Sequence, residues 1–237
     1  MISPSISVII PAFNAVRFLP EAIQSVRDQH YASLDIHVID DGSTDGTFEL
    51  AQSMPDVRAC RQPNAGAAAA RNAGVERASG EFLAFLDADD LWAPGKLQRQ
   101  LEVLGEEAPP HIVAGRVEEF SSQTGDANAA RLRRRSGDRA YTVGALLMRA
   151  DDFRRVGLFD PALRFGEFMD WRSRAIAAGL RERVLEEVVL YRRLHEANTT
   201  RLAKDFKADY VATIRAHLLR RSNTKPDRQD QAGGQTE

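Results

Sequence analysis

The stretch FLAFLDADD, residues 82–90, is the strongest single indication of architecture in this chain, because an apolar run ends in several carboxylates. Such a short run, closed by turn-forming aspartates, predicts a buried strand. Open α/β sheets bind ligands beyond the carboxyl ends of their strands, and Mg²⁺ and Mn²⁺ favour carboxylate oxygens. The stretch therefore predicts a divalent cation at this turn, where it could neutralise a diphosphate. The alternative is an acidic turn that caps the following helix.

The residues before this stretch alternate between two hydrophobic periods. Short β-branched runs predict buried strands, and apolar residues at helical spacing predict the helices between them. The predicted strands are 6–10, 36–39, 57–60 and 82–86, and the predicted helices are 15–29, 44–54 and 67–78. Strands that alternate with helices are typical of a parallel sheet. The pattern predicts an α/β fold with a Rossmann-like, mostly parallel central sheet flanked by helices.

The second half of the chain has a less regular pattern. Pro94 is suited to begin a helix that carries Leu97, Leu101 and Leu104. Beyond it we predict strands at 112–120, Val143–Met148 and 188–191, a mobile connection at 121–140, and helices at 167–178 and 202–219. We expect a single domain over 1–221, made of two halves at about 1–105 and about 106–221, and a disordered tail at 222–237.

Composition limits the classes of partner. The chain has 237 residues, is 43% hydrophobic and has a net charge of −2, so no global field attracts nucleic acid. Cys60 is the only cysteine, which agrees with a reducing compartment. No apolar run is long enough to span a bilayer, and the first residues do not resemble a signal peptide. We expect a cytoplasmic protein without a transmembrane segment. Peripheral contact with a membrane is compatible with this composition.

Two further segments have the chemistry of a nucleotide site. The run Asp40–Thr47 begins at a predicted strand end and enters a helix, so its polar residues could cap that helix. Two successive carboxylates exceed the needs of a cap, and Asp41 could accept hydrogen bonds from a base or a ribose. The turn Asn64–Gly66 precedes a helix that carries Arg71, and a glycine turn at a helix amino terminus suits phosphate. An arginine on a helix is also common as a solvated surface group.

These segments, in this order, resemble the inverting glycosyltransferases of family 2, which adopt the GT-A fold. The resemblance covers about residues 5–200. Its carriers in the first half are SVIIPAFN (7–14), VIDDGSTD (38–45), NAG (64–66), ARNAG (70–74) and GEF through DADD (80–90). In the second half they are GLFD (157–160) and EFMDW (167–171), followed by Arg174 and Gly179.

The resemblance implies that the half at about 1–105 binds the nucleotide sugar and that the half at about 106–221 is the acceptor half. By it, Pro11, Ala12 and Asn14 border the nucleotide pocket, Asp41 contacts the base, and Asn64 and Gly66 lie at the same pocket. It also implies that Asp87, Ala88 and Asp89 form a DxD motif, in which Asp89 holds Mn²⁺ or Mg²⁺ at the diphosphate. Arg71 lies near the nucleotide, where it either bonds phosphate or braces Asp41 or Asp87.

The chain departs from the family at the catalytic base. Many relatives carry consecutive Glu-Asp here, and the Asp is taken to deprotonate the acceptor hydroxyl; in register this position is Phe168. The base must then be Asp170, which we prefer, or Glu167, or must come from elsewhere or be missing. Residues three apart share a helix face. In the structural alternative, Glu167 caps the helix and Asp170 pairs with Arg174.

The segment 191–198 resembles a late part of the family that reaches back to the diphosphate. His195 could complete a metal shell and Arg193 could hold a phosphate, although an exposed loop histidine is the alternative. Trp92 and Trp171 could line a sugar or acceptor pocket or pack in the core. A basic run could attract an anionic acceptor or simply be solvated; it consists of Arg131, Arg133, Arg134, Arg135 and Arg139.

The expected activity is metal-assisted transfer of a sugar, with inversion, from a nucleoside-diphosphate sugar, with UDP as the favoured nucleotide. The acceptor carries a hydroxyl and is a glycan, a peptide, a natural product or a lipid-linked intermediate. One alternative is a sugar-nucleotide-binding protein that has lost catalysis, suggested by Phe168. A weaker alternative is a nucleotidyltransferase, which would need a glycine-rich, basic loop where the chain has PAFN (11–14).

Overall fold

A computed structural model describes residues 3–121, 142–163 and 166–195 of the chain. Nearly all of the predicted connection at 121–140, including the arginine-rich run, lies outside the described residues. The same holds for the predicted helix at 202–219 and the predicted tail at 222–237.

Strands from both predicted halves form one eight-stranded sheet in the order β3-β2-β1-β4-β7-β6-β8-β5. The strands are β1 (Ile6–Ala12), β2 (Leu34–Asp40), β3 (Val57–Arg61), β4 (Phe82–Phe85), β5 (Leu91–Trp92), β6 (Ile112–Ser121), β7 (Leu147–Arg149) and β8 (Glu182–Leu194). Strands β1 to β4 are mutually parallel, and β6 and β8 are parallel to each other, whereas β7 and β5 run antiparallel to their neighbours. The predicted α/β fold with a mostly parallel sheet is confirmed.

Six helices are described beside this sheet. They are α1 (Leu19–Arg27), α2 (Thr47–Gln52), α3 (Ala67–Arg77), α4 (Lys96–Leu104), α5 (Ala150–Val156) and α6 (Glu167–Ala177). Apolar residues of the strands alternate between two buried clusters, with Ile6, Val8 and Ile10 in one and Ile9 in the other. Side chains that alternate in this way bury both faces of β1, which explains why its sequence is a continuous apolar run.

The predictions for local structure fail at three places. Residues Val143–Met148 are not one strand, because Val143–Ala145 form a 3-10 turn and β7 covers only Leu147–Arg149. Helix α4 begins at Lys96 rather than at Pro94, since Gly95 precedes it in the left-handed region with φ 73°. The short elements β5 and α5 were not predicted, because two and seven residues are too few to show a period.

Candidate functional site

The site lies where neighbouring parallel strands end. Ala12 at the end of β1 pairs with Asp40 at the end of β2, and the backbone amide of Leu86, just after β4, donates to Ile9 of β1. Parallel neighbours present their carboxyl ends at one edge of a sheet. The sheet thereby collects the loops after β1, β2 and β4, which belong to three of the segments selected from the sequence.

The loops after β1 and β2 are bonded to each other through Asn14. Its backbone amide donates to Ser43 Oγ at 2.9 Å, and its Oδ1 accepts from the amide of Thr44 at 2.9 Å. Asn14 has φ 48°, a conformation that asparagine tolerates better than most residues. Pro11 and Ala12 are buried beneath this junction, whereas Phe13 is 53% exposed. Phe13 therefore exposes an aromatic side chain between Ala12 and Asn14, two residues predicted to border the nucleotide, and sequence reasoning did not select it.

Asp41 organises the turn before α3. Its carboxylate accepts from the backbone amides of Ala65 at 2.9 Å and Gly66 at 2.8 Å, and from Gln62 Nε2 at 2.8 Å. Its main-chain oxygen accepts from Asn64 Nδ2 at 3.0 Å. Asp41 is only 4% exposed, and its carboxylate already accepts three hydrogen bonds, so it first serves to shape the turn. Any contact with a base would use its remaining acceptor capacity.

Gly66 gives this turn its shape. It has φ 89° immediately before α3, in a region of backbone conformation that glycine enters without steric cost. Its carbonyl oxygen accepts from Ala70 in the first turn of the helix. The sequence reading of a glycine turn at a helix start is thus realised in the structure.

Arg71 joins the two halves of the site. Its Nη2 lies 2.6 Å from Asp87 Oδ1, and its Nη1 lies 2.7 Å from Glu167 Oε1, while its side chain is only 5% exposed. Burial acts to lower the pKa of Arg71, but the two carboxylates outweigh it and raise the pKa above its usual value. Of the roles predicted for Arg71, the structure shows the bracing of Asp87 and adds the contact with Glu167. It does not bond Asp41 in the described contacts.

The acidic turn, residues 87–90, follows β4 and presents two accessible carboxylates. The side chains of Asp87 and Asp89 are 34% and 30% exposed, whereas Asp90 is buried. Burial, and next to it the charge of Asp87, raises the pKa of Asp89. Burial with the charges of Asp89 and Asp87 raises the pKa of Asp90 well above its ordinary range. The turn leads into β5, so it does not cap a helix as the alternative proposed.

Crowded carboxylates of this kind suit a divalent cation. A cation would relieve the repulsion that raises the pKa of Asp89. Among the described residues no three His, Cys, Asp or Glu side chains converge as a complete metal cage. Mg²⁺ is commonly held by one or two carboxylates together with phosphate oxygens and water, so Asp87 and Asp89 fit such an ion in partnership with a diphosphate.

Arg193 and His195, at the end of β8, both reach the acidic turn. Arg193 Nε donates to the carbonyl of Asp89 at 2.8 Å, its amide donates to Asp90 Oδ1 at 2.9 Å, and its Nη2 lies 2.6 Å from Glu21 Oε2. His195 Nε2 lies 2.9 Å from Asp89 Oδ2. The structure therefore brings both residues to the predicted site. Arg193 is 3% exposed, which suits a residue that holds the turn in place.

The two candidate bases have different surroundings. Glu167 begins α6 and faces Arg71, with a side chain that is 15% exposed. Asp170 pairs with Arg174 Nε at 2.9 Å, and the same guanidinium donates to the carbonyls of Val156 and Leu158. Asp170 thus belongs to a contact that anchors α6 to the end of α5. Phe168, at the position of the usual family base, is 6% exposed in the apolar core.

Both tryptophans are buried, so each packs in the core and does not line a sugar or acceptor pocket. Trp171 is fully buried, stacks on Phe153 with a centroid distance of 4.7 Å, and donates from Nε1 to the carbonyl of Gly157. Trp92 is 3% exposed and donates from Nε1 to the carbonyl of Phe85. Neither lines an open pocket, and Trp92 instead packs under the acidic turn.

A lysine and a glutamine beneath this turn were also missed. Lys96 and Gln100 in α4 are both fully buried, and Lys96 Nζ donates to Gln100 Oε1 at 2.7 Å. The available signal was their helical register, since Lys96 and Gln100 fall on the same stripe as Leu97 and Leu104.

Comparison with known proteins gives the family. The sequence pattern described as glycosyl transferase family 2 matches residues 7–157, which is more than half of the chain. The chain belongs to glycosyl transferase family 2. This confirms the resemblance drawn from residues 5–200, and the matched range includes every donor-side segment in the first half of the chain, up to the acidic turn.

One curated relative of this family 2 chain is the glycosyltransferase TuaG of Bacillus subtilis (strain 168). The two are 40% identical over 108 residues, which cover 44% of this chain and 43% of TuaG. The matched segment thus spans less than half of the relative's length.

Solved structures extend the likeness in fold. TarS from S. aureus, in complex with UDP-GlcNAc, superposes with a TM-score of 0.76 at 19% identity, covering 94% of this chain and 68% of TarS. The mannosyltransferase PcManGT from Pyrobaculum calidifontis, in complex with GDP-Man and Mn²⁺, superposes with a TM-score of 0.70 at 18% identity, covering 95% and 66%. The predicted GT-A fold is confirmed. Within the described residues no helix has the length and apolarity needed to cross a bilayer.

Proposed function

We propose that this family 2 chain transfers a sugar, with inversion, from a nucleoside-diphosphate sugar to an acceptor hydroxyl. The observation that carries the proposal is the contact set around Arg71, which joins the accessible carboxylate Asp87 of the donor edge to Glu167 on α6. Sugar transfer needs one group beside the departing diphosphate and another beside the acceptor hydroxyl. Asp87 and Glu167, held on different elements by one guanidinium, would supply these two groups.

The donor would bind along the edge where β1, β2 and β4 end. Phe13 offers a face on which a base can stack, and the turn shaped by Asp41 and Gly66 offers backbone at the start of α3. TarS is solved with UDP-GlcNAc and PcManGT with GDP-Man, so both nucleotides are represented among proteins of this fold. We favour UDP as the nucleotide.

Asp89 and Asp87 would hold Mn²⁺ or Mg²⁺, with His195 as a candidate third ligand; PcManGT is solved with Mn²⁺. When bound, the ion would stabilise negative charge on the departing diphosphate. His195 would exchange its present bond to Asp89 for the ion. Arg193 would keep the backbone of Asp89 in place rather than reach the phosphates itself.

Glu167 is the better candidate for the base, ahead of Asp170. In the transfer, the acceptor oxygen forms a bond to the anomeric carbon, the bond from that carbon to the diphosphate oxygen breaks, and the acceptor proton moves to the carboxylate. Both carboxylates pair with an arginine, but the partner of Glu167 also holds Asp87 of the acidic turn, whereas the partner of Asp170 ties α6 to residues 156–158, away from that turn. This reverses the order that the sequence suggested.

A second candidate function is binding of a sugar nucleotide without transfer. It rests on Phe168, because the residue at the usual position of the base is buried in the core and cannot accept a proton. Measurement of donor binding and donor turnover on the same preparation separates the two functions, since a binding protein retains the first and lacks the second.

The test is calorimetric titration with UDP, GDP, CDP and dTDP, each in the presence of Mn²⁺ and of EDTA. We expect metal-dependent binding of one diphosphate, and loss of that binding in Asp89→Ala. The matched control is Asp151→Ala, which removes a carboxylate that is 98% exposed on α5. Failure of every diphosphate to bind would contradict the proposal.

A further inference from the structure

Lys96 is fully buried, and each contact of its ammonium group given by the structure is with a neutral group. Nζ donates to Gln100 Oε1 at 2.7 Å and to the carbonyl of Leu146 at 3.1 Å, and it lies 4.4 Å from the centroid of the Trp92 ring. Gln100 in turn donates to the carbonyls of Val113 and Ala145. The lysine therefore has directed partners but no neutralising carboxylate among these contacts.

A buried ammonium without a counter-ion costs stability, since water solvates the charge better than a protein interior does. Burial accordingly lowers the pKa of Lys96 to about 7. A leucine or methionine would fill an apolar helix face at no such cost. Residues that break the rules of core composition are often retained for function, so the position of this lysine is informative.

Charged groups on the elements that pack against α4 have other partners or face solvent. Arg149 of β7 pairs with Glu81, and on β6 and β8 Glu119 pairs with Arg192, while Arg116 is exposed. Three other carboxylates on β6 and β8 are partly or fully exposed, namely Glu118, Glu186 and Glu187. The remaining charged groups of β8 and the neighbouring α1 are paired: Glu182 with Arg172, Arg183 with Glu106, Arg193 with Glu21, and Arg27 with Asp56. Tyr191 of β8 is the last ionisable group on these elements. The protonation of Lys96 thus depends mainly on its burial.

Trp92 connects this lysine to the acidic turn. The centroid of its ring lies 4.4 Å from Lys96 Nζ, and its Nε1 donates to the carbonyl of Phe85 at 3.2 Å. Its backbone amide donates to Ser25 Oγ of α1 at 3.0 Å. Phe85 and Trp92 lie two residues before and two residues after the acidic turn, so the bond between them ties together the two ends of the segment that carries Asp87 and Asp89.

We propose that Lys96 is a positioning residue that fixes the acidic turn through Trp92, and that this hold weakens when the ammonium loses its proton. The charged form supplies three N–H donors and a cation for the indole face, whereas the neutral amine supplies two donors and no cation. The inference rests on the proposed function, because it assigns to the turn the binding of the metal and diphosphate. Donor binding should therefore weaken as the pH rises past neutrality.

The first experiment measures the contact directly and needs no ligand. The indole N–H signal of Trp92 is followed by NMR between pH 6 and pH 8.5, and is assigned with a Trp171→Phe variant, since the chain has two tryptophans. We expect the Trp92 signal to titrate in wild type and to remain constant in Lys96→Met. An unchanged Trp92 signal in wild type, or the same titration in Lys96→Met, overturns the inference.

The second experiment measures Kd of the diphosphate that wild type binds in the presence of Mn²⁺, over the same range of pH. We expect wild type to lose affinity by roughly threefold to tenfold relative to Lys96→Met as the pH rises. Both proteins keep every histidine and titrate the same ligand, so the difference between the two profiles belongs to Lys96. Parallel profiles overturn the inference.

Two further variants make the outcome unambiguous. Arg99→Met is the matched control, because Arg99 is an exposed cation on the same helix, and its profile should follow wild type. If Lys96→Met does not fold, Trp92→Phe takes its place, since it keeps the lysine but removes the bond to Phe85, and its profile should lose the pH dependence. If wild type binds no diphosphate at any pH, the proposed function fails, while the NMR titration still decides on the contact between Lys96 and Trp92.

Discussion

Arg71 Nη1 lies 2.7 Å from Glu167 Oε1, although the two residues are 96 positions apart in the chain. The contact connects α3, which follows the donor-side loop, with the first turn of α6. It makes the geometry of the proposed donor edge, where β1, β2 and β4 end, dependent on the second half of the protein.

Arg71→Met should both destabilise the protein and weaken donor binding. It leaves the carboxylates of Asp87 and Glu167 without their shared cation, and breaking a buried ion pair in this way costs about 3 kcal/mol. Chemical denaturation and calorimetric titration with the bound diphosphate measure the two effects. Arg77→Met serves as the control, since Arg77 is an exposed cation on the same helix. Equal effects of the two substitutions would contradict a role of Arg71 in the site.

Glu167→Gln and Asp170→Asn should have opposite signatures. Glu167→Gln should lower kcat by about a hundredfold or more, because it removes the group that takes the proton. Diphosphate binding should change little, because the amide oxygen of glutamine can still accept from Arg71. Asp170→Asn should chiefly lower Tm, because it weakens the pair with Arg174 that anchors α6. Donor turnover and thermal unfolding are measured on both variants. A larger loss of kcat in Asp170→Asn would restore the order suggested by the sequence.

Phe13→Ala should weaken nucleotide binding. Stacking of a base on an aromatic side chain contributes about 1–3 kcal/mol, so we expect Kd to rise by roughly tenfold. Val16→Ala is the control, since Val16 is an exposed apolar residue on the same loop, and it should leave Kd unchanged. Titration with the nucleoside diphosphate and with inorganic pyrophosphate separates base contacts from phosphate contacts. Equal losses for both ligands would contradict stacking.

Lys96→Met should change how stability depends on pH. The pKa of Lys96 is about 7 in the folded protein and 10.5 is its ordinary value, so between these limits the unfolded chain binds more protons. Wild-type stability should then rise with pH from about 7 towards 10.5, by roughly 5 kcal/mol in total for this group. Urea unfolding at pH 6.5 and pH 9 should show this rise in wild type and a smaller one in Lys96→Met. The same change of unfolding free energy with pH in the two proteins would contradict a buried Lys96 with a lowered pKa.

The order of strands and helices in the first half was predictable from residues alone, because both faces of β1 and β4 are buried and their sequences are continuous apolar runs. The acidic turn and the glycine turn before α3 were equally legible, since aspartate and glycine mark strand ends and backbone turns locally. The short β5 and α5 were not, because their formation depends on the strands and helices that pack against them.

The sequence of this chain was sufficient to predict the α/β class, the family and the segments that follow β1, β2 and β4 at one edge of the sheet, because hydrophobic period, turn chemistry and short motifs are local properties. Tertiary packing alone assigned the partners. It paired Arg71 with Asp87 and Glu167, and it placed Lys96 beneath Trp92. Those contacts join residues from separate helices and strands or depend on burial, and the spacing of residues along a chain records neither.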